Sequence, residues 1–191
     1  MKKVAVLGSG AWGTTLGQVM CDSGQQVLIW GRNKKVVREI NRRNSNRKFL
    51  KGIDLPPQLK ATTDIKAALE FAEVILLAIP AQTLRENLES WKAFFPANVP
   101  VISTLKGIEV STQFRMTEVA QEVLGIEKSR LGLITGPNLA NEIIARQPAG
   151  AGHLAATRAI RCSQSFACAA STDGEGTASL AQGVMQGVPM T

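Results

Sequence analysis

The spacing of three glycines behind a short apolar run constrains this chain more than any other feature. Val4-Ala5-Val6-Leu7 reads as a strand, and Gly8, Gly10 and Gly13 follow with G-x-G-x-x-G spacing before a helical stretch over residues 14–21. Each glycine has its own reason to lack a side chain. Gly8 allows the tight turn off the strand, Gly10 lets the backbone approach a pyrophosphate, and Gly13 lets the helix pack close to the strand. The bare N–H groups at the helix start, with the helix dipole behind them, favour phosphate there. The competing reading is an ordinary glycine-rich strand-to-helix turn. The position after a strand and at the opening of a helix favours a dinucleotide.

Residues 26–30, Gln-Val-Leu-Ile-Trp, form the second strand, reached through Asp22-Ser23-Gly24, a plausible helix stop. Residues 3–30 thus make one βαβ unit. In NAD-specific units an acidic residue about 20 positions beyond the glycines binds the ribose 2′-hydroxyl, whereas an arginine there suits the 2′-phosphate of NADP. Here the strand ends Trp30-Gly31-Arg32-Asn33, with no acid. Arg32 can pair with a phosphate bidentately and stack on adenine. The expectation is NADP(H) in preference to NAD(H); a surface arginine at a strand end is the alternative.

Further on, strand and helix patterns alternate. Helices are predicted over 34–44 (with Val36, Val37 and Ile40 on one side), 65–72 behind a Thr62-Thr63-Asp64 cap, 83–94 with a Leu84/Leu88/Trp91 stripe, 117–124 stopped by Gly125, and 139–145. Strands are predicted over 74–79, 99–103 and 131–134, and a loop over 44–57. Such alternation points to an α/β fold, a Rossmann-like, doubly wound, mostly parallel sheet. Ligands bind at the carboxyl ends of such strands, so Ile79-Pro80, Leu105-Lys106-Gly107 and Thr135-Gly136-Pro137-Asn138 are the ends of interest. Lys106 is a candidate to neutralise a phosphate or polarise a carbonyl; a simple turn lysine beside Gly107 is the other reading.

Charge is unevenly spread. The net charge is +7, yet nine basic residues from Arg32 to Lys51 face a single acid, Glu39. This run is a nucleic-acid patch, a solvated basic face, or a face whose first members meet an anionic cofactor or substrate. The lack of an accompanying aromatic platform disfavours nucleic acid. An apolar content of 45% is that of a globular chain. No run approaches the roughly 20 apolar residues of a membrane span, and the apolar segment after Met1-Lys2-Lys3 is too short for a signal peptide. The expectation is a soluble, cytoplasmic protein. Cys21, Cys162 and Cys168 match no zinc spacing, and no metal site is predicted; Cys21 reads as a small buried apolar residue.

Several segments in order resemble the bacterial NAD(P)-dependent glycerol-3-phosphate dehydrogenases. They are Gly-Ser-Gly-Ala-Trp-Gly-Thr-Thr-Leu (8–16), Trp-Gly-Arg-Asn (30–33), Leu-Lys-Gly-Ile-Asp-Leu-Pro (50–56) and Ala-Thr-Thr-Asp (61–64), then Ala-Ile-Pro-Ala-Gln (78–82), Lys-Gly-Ile-Glu (106–109) and Gly-Pro-Asn-Leu-Ala-Asn-Glu (136–142). The resemblance covers residues 1–149, the expected nucleotide-binding domain. It implies hydride transfer between NAD(P)H and dihydroxyacetone phosphate, giving sn-glycerol 3-phosphate for phospholipid synthesis. It also implies that Ala11 and Trp12 line the cofactor, that Arg32 meets the adenosine ribose or its phosphate, and that Lys106 sits where cofactor and substrate meet. Gly136 and Asn138 would touch substrate, and Ala140 the cofactor. Asn138 stands where the family often has Ser or Thr and keeps a polar group. A ketopantoate reductase shares such a front half, but Lys106 to Glu109 and Gly136 to Ala140 argue against it. The full-length family admits a homodimer.

That family carries its acid/base lysine in a second, helical domain. Here no lysine follows Lys128, and from Gly150 the chain is dominated by Ala, Gly, Ser, Thr and Gln. Residues 150–191 are expected to be an atypical tail, either frame-shifted or a divergent linker, in which His153, Arg158, Arg161 and the two late cysteines have no assigned role. Cofactor binding with little or no turnover is the expectation for the 191 residues; a non-catalytic nucleotide-binding module is the alternative.

Overall fold

The computed structural model describes residues 1–136 and 139–146 and the backbone of 152–155. In chain order the elements are β1 (Lys3–Leu7), α1 (Ala11–Asp22), β2 (Gln26–Trp30), α2 (Lys34–Arg43), β3 (Ser45–Asn46), β4 (Leu50–Asp54), β5 (Lys60–Thr62), α3 (Ile65–Phe71), β6 (Val74–Leu77), α4 (Leu84–Trp91), β7 (Val101–Ser103), α5 (Met116–Leu124), β8 (Leu131–Thr135), α6 (Ala140–Ile144) and β9 (Gly152–Ala155). The main sheet runs β5-β2-β1-β6-β7-β8-β9. All neighbours are parallel except β8 and β9, which pair antiparallel with Ile134 opposite His153. The mostly parallel, doubly wound sheet expected from the alternation is therefore present.

β1 sits at the switch point. The chain winds outward from it through β2 to β5, then crosses back to β6 on its other side and continues to β8. The crevice of such a sheet lies between the two strands where the winding reverses, here between Leu7 and Leu77, which are register partners. Alternation along β1 explains its burial on both faces. Val4 and Val6 pack with α1, α2 and α6, through residues such as Leu16, Val36 and Ile143. Ala5 and Leu7 pack with α3, α4 and α5, through Leu69, Leu88 and Val119. With no face left to water, a β1 strand of four aliphatic residues is what a central parallel strand requires.

Two expectations need correcting. The stretch 44–57 is not a loop: β3 and β4 form an antiparallel hairpin with Ser45 opposite Asp54 and Asn46 opposite Leu50. Its polar sequence conceals the pattern, since only Leu50 of β4 is fully buried while Lys51, Gly52 and Asp54 are exposed. Leu50, Leu55 and Leu59 nevertheless bury into the α1/α2 face of the core. Just beyond, β5 supplies three residues to the sheet edge, too few for any periodicity to register. The second correction is to 83–94. Regular α-helix covers only Leu84–Trp91, and 3₁₀ turns flank it over Ala81–Thr83 and Lys92–Phe94.

Caps match the sequence better. Asp64 accepts from the backbone N–H groups of Lys66 and Ala67 at the start of α3, and Asn33 does the same for Lys35 and Val36 at the start of α2. Gly125 ends α5 in the left-handed conformation (φ 66°). Cys21 is buried, which pushes its thiol up to about 12. No helix among the described residues is long and apolar enough to cross a membrane. The expected break at residue 150 falls mostly outside the described residues, as do Cys162, Cys168, Arg158 and Arg161.

Candidate functional site

A cavity of about 680 Å³ opens over the carboxyl ends of β1, β2, β6 and β7. Its floor is the glycine turn. Gly8 leaves β1 at φ 138°, with its N–H bonded to the Trp30 carbonyl at 2.9 Å. A Cβ there would stand 2.3 Å from the Ala78 carbonyl oxygen, so only glycine lets the turn lie against the end of β6. A Cβ on Gly13 would stand 1.9 Å from the Gly8 oxygen. Gly13 is therefore needed for the seat of α1 on the turn itself.

Gly10 is different. Its φ of −75° and ψ of −175° suit any residue, and a Cβ there would meet nothing within 4 Å. The protein itself does not demand glycine at this point. It lines the cavity and caps α1 without a side-chain cap, so the first N–H groups of the helix face open space. A cradle that a methyl group would fill, beneath bare donors at a helix N-terminus, fits the pyrophosphate of a dinucleotide.

The turn is held from outside by a residue that nothing in the sequence singles out. Asn46, fully buried in β3, donates through Nδ2 to the Ser9 carbonyl at 3.1 Å and to Thr14 Oγ1 at 2.8 Å. Gly31 packs equally close, since a Cβ there would stand 2.1 Å from Ser9 Oγ. On the far side, Trp12 Nε1 donates to Thr104 Oγ1 at 3.0 Å, and Thr104 Oγ1 donates to the Leu77 carbonyl at 2.7 Å. The glycine turn, the end of β6 and the end of β7 are thus one connected unit, and Thr104 lies two residues before Lys106.

Lys106 itself is exposed and lines the cavity. Its turn passes through Gly107 at φ 97° and is clamped to the β6–α4 connection. Gln82 donates to the Ile108 carbonyl at 2.8 Å and accepts from the Val110 N–H at 3.1 Å. Arg85 makes a forked pair with Glu109, Nε to Oε1 at 3.0 Å and Nη2 to Oε2 at 3.0 Å, and reaches Glu122 at 3.0 Å. The Arg85 guanidinium, and then the Thr112 hydroxyl, hold the Glu109 carboxyl below its usual range. Such a bidentate, charge-assisted pair gives a fixed geometry.

Of the residues singled out by sequence, Gly8, Gly10, Ala11, Trp12, Arg32, Lys106 and Ala140 all line this cavity. Gly13 lies beneath it. Gly136, at φ 151°, ends β8 outside the lining. Asn138 lies outside the described residues. The cavity also takes in Asn33, Lys48 and Phe49, which the sequence did not suggest because the hairpin carrying the last two was not legible.

Comparison with known proteins agrees with this geometry. The family model for the NAD-dependent glycerol-3-phosphate dehydrogenase N-terminus matches residues 3–159. Similar proteins include the glycerol-3-phosphate dehydrogenase [NAD(P)+] of Corynebacterium urealyticum, 46% identical over 149 residues, covering 78% of this chain and 45% of that protein. That of Thermobifida fusca is 47% identical over 152 residues, covering 79% of this chain and 45% of that protein. Among solved structures, glycerol-3-phosphate dehydrogenase from Coxiella burnetii superposes with a TM-score of 0.75 at 29% identity, over 82% of this chain and 47% of that one. The enzyme from Saccharomyces cerevisiae gives 0.74 at 30% identity, over 81% and 47%. The chain thus spans about half the length of the curated relatives it matches. By its glycine turn, its switch-point cavity and this match, the chain belongs to the family of the NAD-dependent glycerol-3-phosphate dehydrogenase N-terminus.

Proposed function

We propose that the switch-point cavity binds NADP(H), and that its Lys106 end receives dihydroxyacetone phosphate or sn-glycerol 3-phosphate. The observation that carries this reading is the continuity of one cavity from Arg32, past the glycine turn, to Lys106. The bare N–H groups opening α1 would hold the pyrophosphate, and the Arg32 guanidinium, exposed at the end of β2, would pair with the ribose 2′-phosphate. When bound, the cofactor would supply a hydride from C4 of its nicotinamide to the C2 carbonyl of dihydroxyacetone phosphate, and the alkoxide so formed would take a proton from water. At that end the Lys106 ammonium neutralises the substrate phosphate or polarises the carbonyl. Ala140 closes the cofactor's side of the cavity; Gly136 and Asn138 are proposed substrate contacts.

A second reading, a nucleotide-binding module without turnover, rests on one observation: the 191 residues span about half the length of the curated relatives they match. The 191 residues should therefore bind cofactor and reduce dihydroxyacetone phosphate slowly or not at all. Both parts are testable by following tryptophan fluorescence, with Trp12 in the cavity wall, during titration with NADPH and NADH. NADPH should bind more tightly. Arg32→Asp should weaken NADPH on the order of 1.5–3 kcal/mol through loss of a charge-assisted pair and spare NADH. Equal losses for both would remove Arg32 from the 2′-phosphate. Absence of any binding would sink the whole reading, and turnover at ordinary enzymatic rates would sink the second.

A further inference from the structure

The nine basic side chains between Arg32 and Lys51 are all exposed, and only Arg32 and Lys48 belong to the cavity wall. The remainder lie on two elements packed against each other, α2 and the β3–β4 hairpin. Lys34, Lys35, Arg38, Arg42 and Arg43 lie on α2, and the hairpin adds Arg47 and Lys51. The single acid among them, Glu39, is already engaged by the Ser45 hydroxyl at 3.1 Å, the Arg47 N–H at 3.2 Å and the Arg47 guanidinium at 3.6 Å. Among the described residues, no other carboxylate lies within 4.0 Å of any of the nine cations. Outside residues 32–51 the chain carries one net negative charge, so this segment as a whole accounts for the positive charge of the protein.

Helix α2 is capped by Asn33 and carries Arg42 and Arg43 in its last turn, where cations suit the dipole, yet its other charges conflict with local rules. Its first turn holds Lys34 and Lys35 and no acid, against the positive end of the helix dipole. Lys34 and Arg38, and again Arg38 and Arg42, are like-charge neighbours at i,i+4. Like charges set against local rules on the exposed side of a helix, whose apolar side packs normally through Val36, Val37 and Ile40, point to a functional demand. The position of α2 says which. Its capping residue Asn33 is in the cavity wall, and the hairpin's Lys48 and Phe49 form another part of that wall. Asn46 ties the same hairpin to the glycine turn. The charged surface therefore begins at the cavity mouth and extends along α2 for about 15 Å at 1.5 Å per residue, farther than the ~8 Å screening length of physiological salt.

We propose that the surface of α2 and the β3–β4 hairpin collects phosphorylated dinucleotides and steers them into the cavity, acting on the rate of capture rather than on the bound state. A row of cations leading into a concave site, of which only Arg47 has a carboxylate partner among the described residues, raises the local concentration of a polyanion and its association rate. The effect grows with ligand charge, so NADPH, with its additional phosphate, gains more than NADH. This rests on the reading that the cavity binds a dinucleotide.

Stopped-flow tryptophan fluorescence with the 191-residue chain, from roughly 0.02 to 0.5 M salt, tests it. The association rate constant for NADPH should fall by about tenfold or more over that range, and for NADH by less. Two variants touch no cavity residue, R38Q/R42Q/R43Q and K34Q/K35Q. The second relieves the dipole conflict, so it cannot act by unfolding α2. Each should slow low-salt capture by about 3-fold or more, leave dissociation unchanged, and converge on the unsubstituted chain at high salt. Unchanged capture, or an effect on dissociation alone, overturns the proposal while the cavity reading stands. If neither nucleotide binds, both fail. Variants that abolish binding of a duplex DNA probe but leave nucleotide capture intact would make this a nucleic-acid surface and overturn the proposal as well.

Discussion

Gly13→Ala and Gly10→Ala should separate what the fold needs from what the ligand needs. At Gly13 the added methyl lands 1.9 Å from the Gly8 oxygen, 2.9 Å from the Gly8 carbonyl carbon and 3.3 Å from the Ala78 Cβ. Ordinary contact distances are near 3.5 Å, so relief requires a shift on the order of 1.5 Å. Little there can yield. Gly8 is hydrogen-bonded to Trp30 and seated on the Ala78 carbonyl, and α1 is itself packed on β2 and α6. Overpacking of this kind costs about 3 kcal/mol, a large part of a typical stability of about 5–15 kcal/mol. In urea, with a slope of about 1.5–2 kcal/mol per M, the midpoint should fall by about 1.5–2 M. At Gly10 the same methyl meets nothing. Its backbone angles suit alanine, which favours the variant slightly, while alanine is the poorer helix cap. These small effects oppose, and stability should stay within about 1 kcal/mol of the parent. NADPH affinity should nevertheless fall at least about tenfold, or 1.4 kcal/mol, because the methyl would occupy the cradle proposed for the phosphates. The pair is measured by urea unfolding followed by circular dichroism and by nucleotide titration. A Gly13→Ala chain of unchanged midpoint, or a Gly10→Ala chain of unchanged affinity, would refute the reasoning.

Asn46→Ala removes both bonds to the glycine turn and should cost about 1–3 kcal/mol in urea unfolding, with weaker NADPH binding in the same titration. Thr104→Val keeps the shape but leaves Trp12 Nε1 without its partner; a loss of about 1–2 kcal/mol and an altered Trp12 emission are expected. Leu88→Ala, in the core between α4 and the sheet, should cost about 2–5 kcal/mol without changing the nucleotide preference. Because Glu109 titrates below its usual 4.5 in the folded chain, its ionised form stabilises the fold above that value. The contribution is lost as the pH falls through the lower, folded pKa. Melting curves should drop over this range, and Glu109→Gln should flatten the drop only in part, since Glu118 is held low as well by the Arg115 N–H and guanidinium.

The most legible parts of the fold were those in which local chemistry and tertiary role coincide. Val4 to Leu7 had to be a strand because both faces are buried, and Asp64 and Gly125 mark helix ends through bonds or conformations within a few residues. The hairpin was illegible for the opposite reason. Lys51, Gly52 and Asp54 carry no alternation, and what holds the segment is the burial of Leu50, Leu55 and Leu59 against helices distant in the chain. Phe49 and Lys48 entered the cavity with it.

Within the candidate site the division is similar. The sequence by itself determined a glycine turn between strand and helix, an arginine in place of the usual acid at the end of β2, and a lysine at a later strand end. Spacing alone carries these, because each depends on backbone geometry over a few residues. Only the tertiary structure decided that β6 lies beside β1, which makes Gly8 necessary against Ala78 and brings Lys106 to the same cavity as Arg32. It alone joined Asn46 to Ser9, Trp12 to Thr104 and Arg85 to Glu109, and it set the basic face of α2 beside the cavity mouth. Those contacts join residues tens of positions apart, and no local pattern encodes which partner a buried polar group will find once the core has closed.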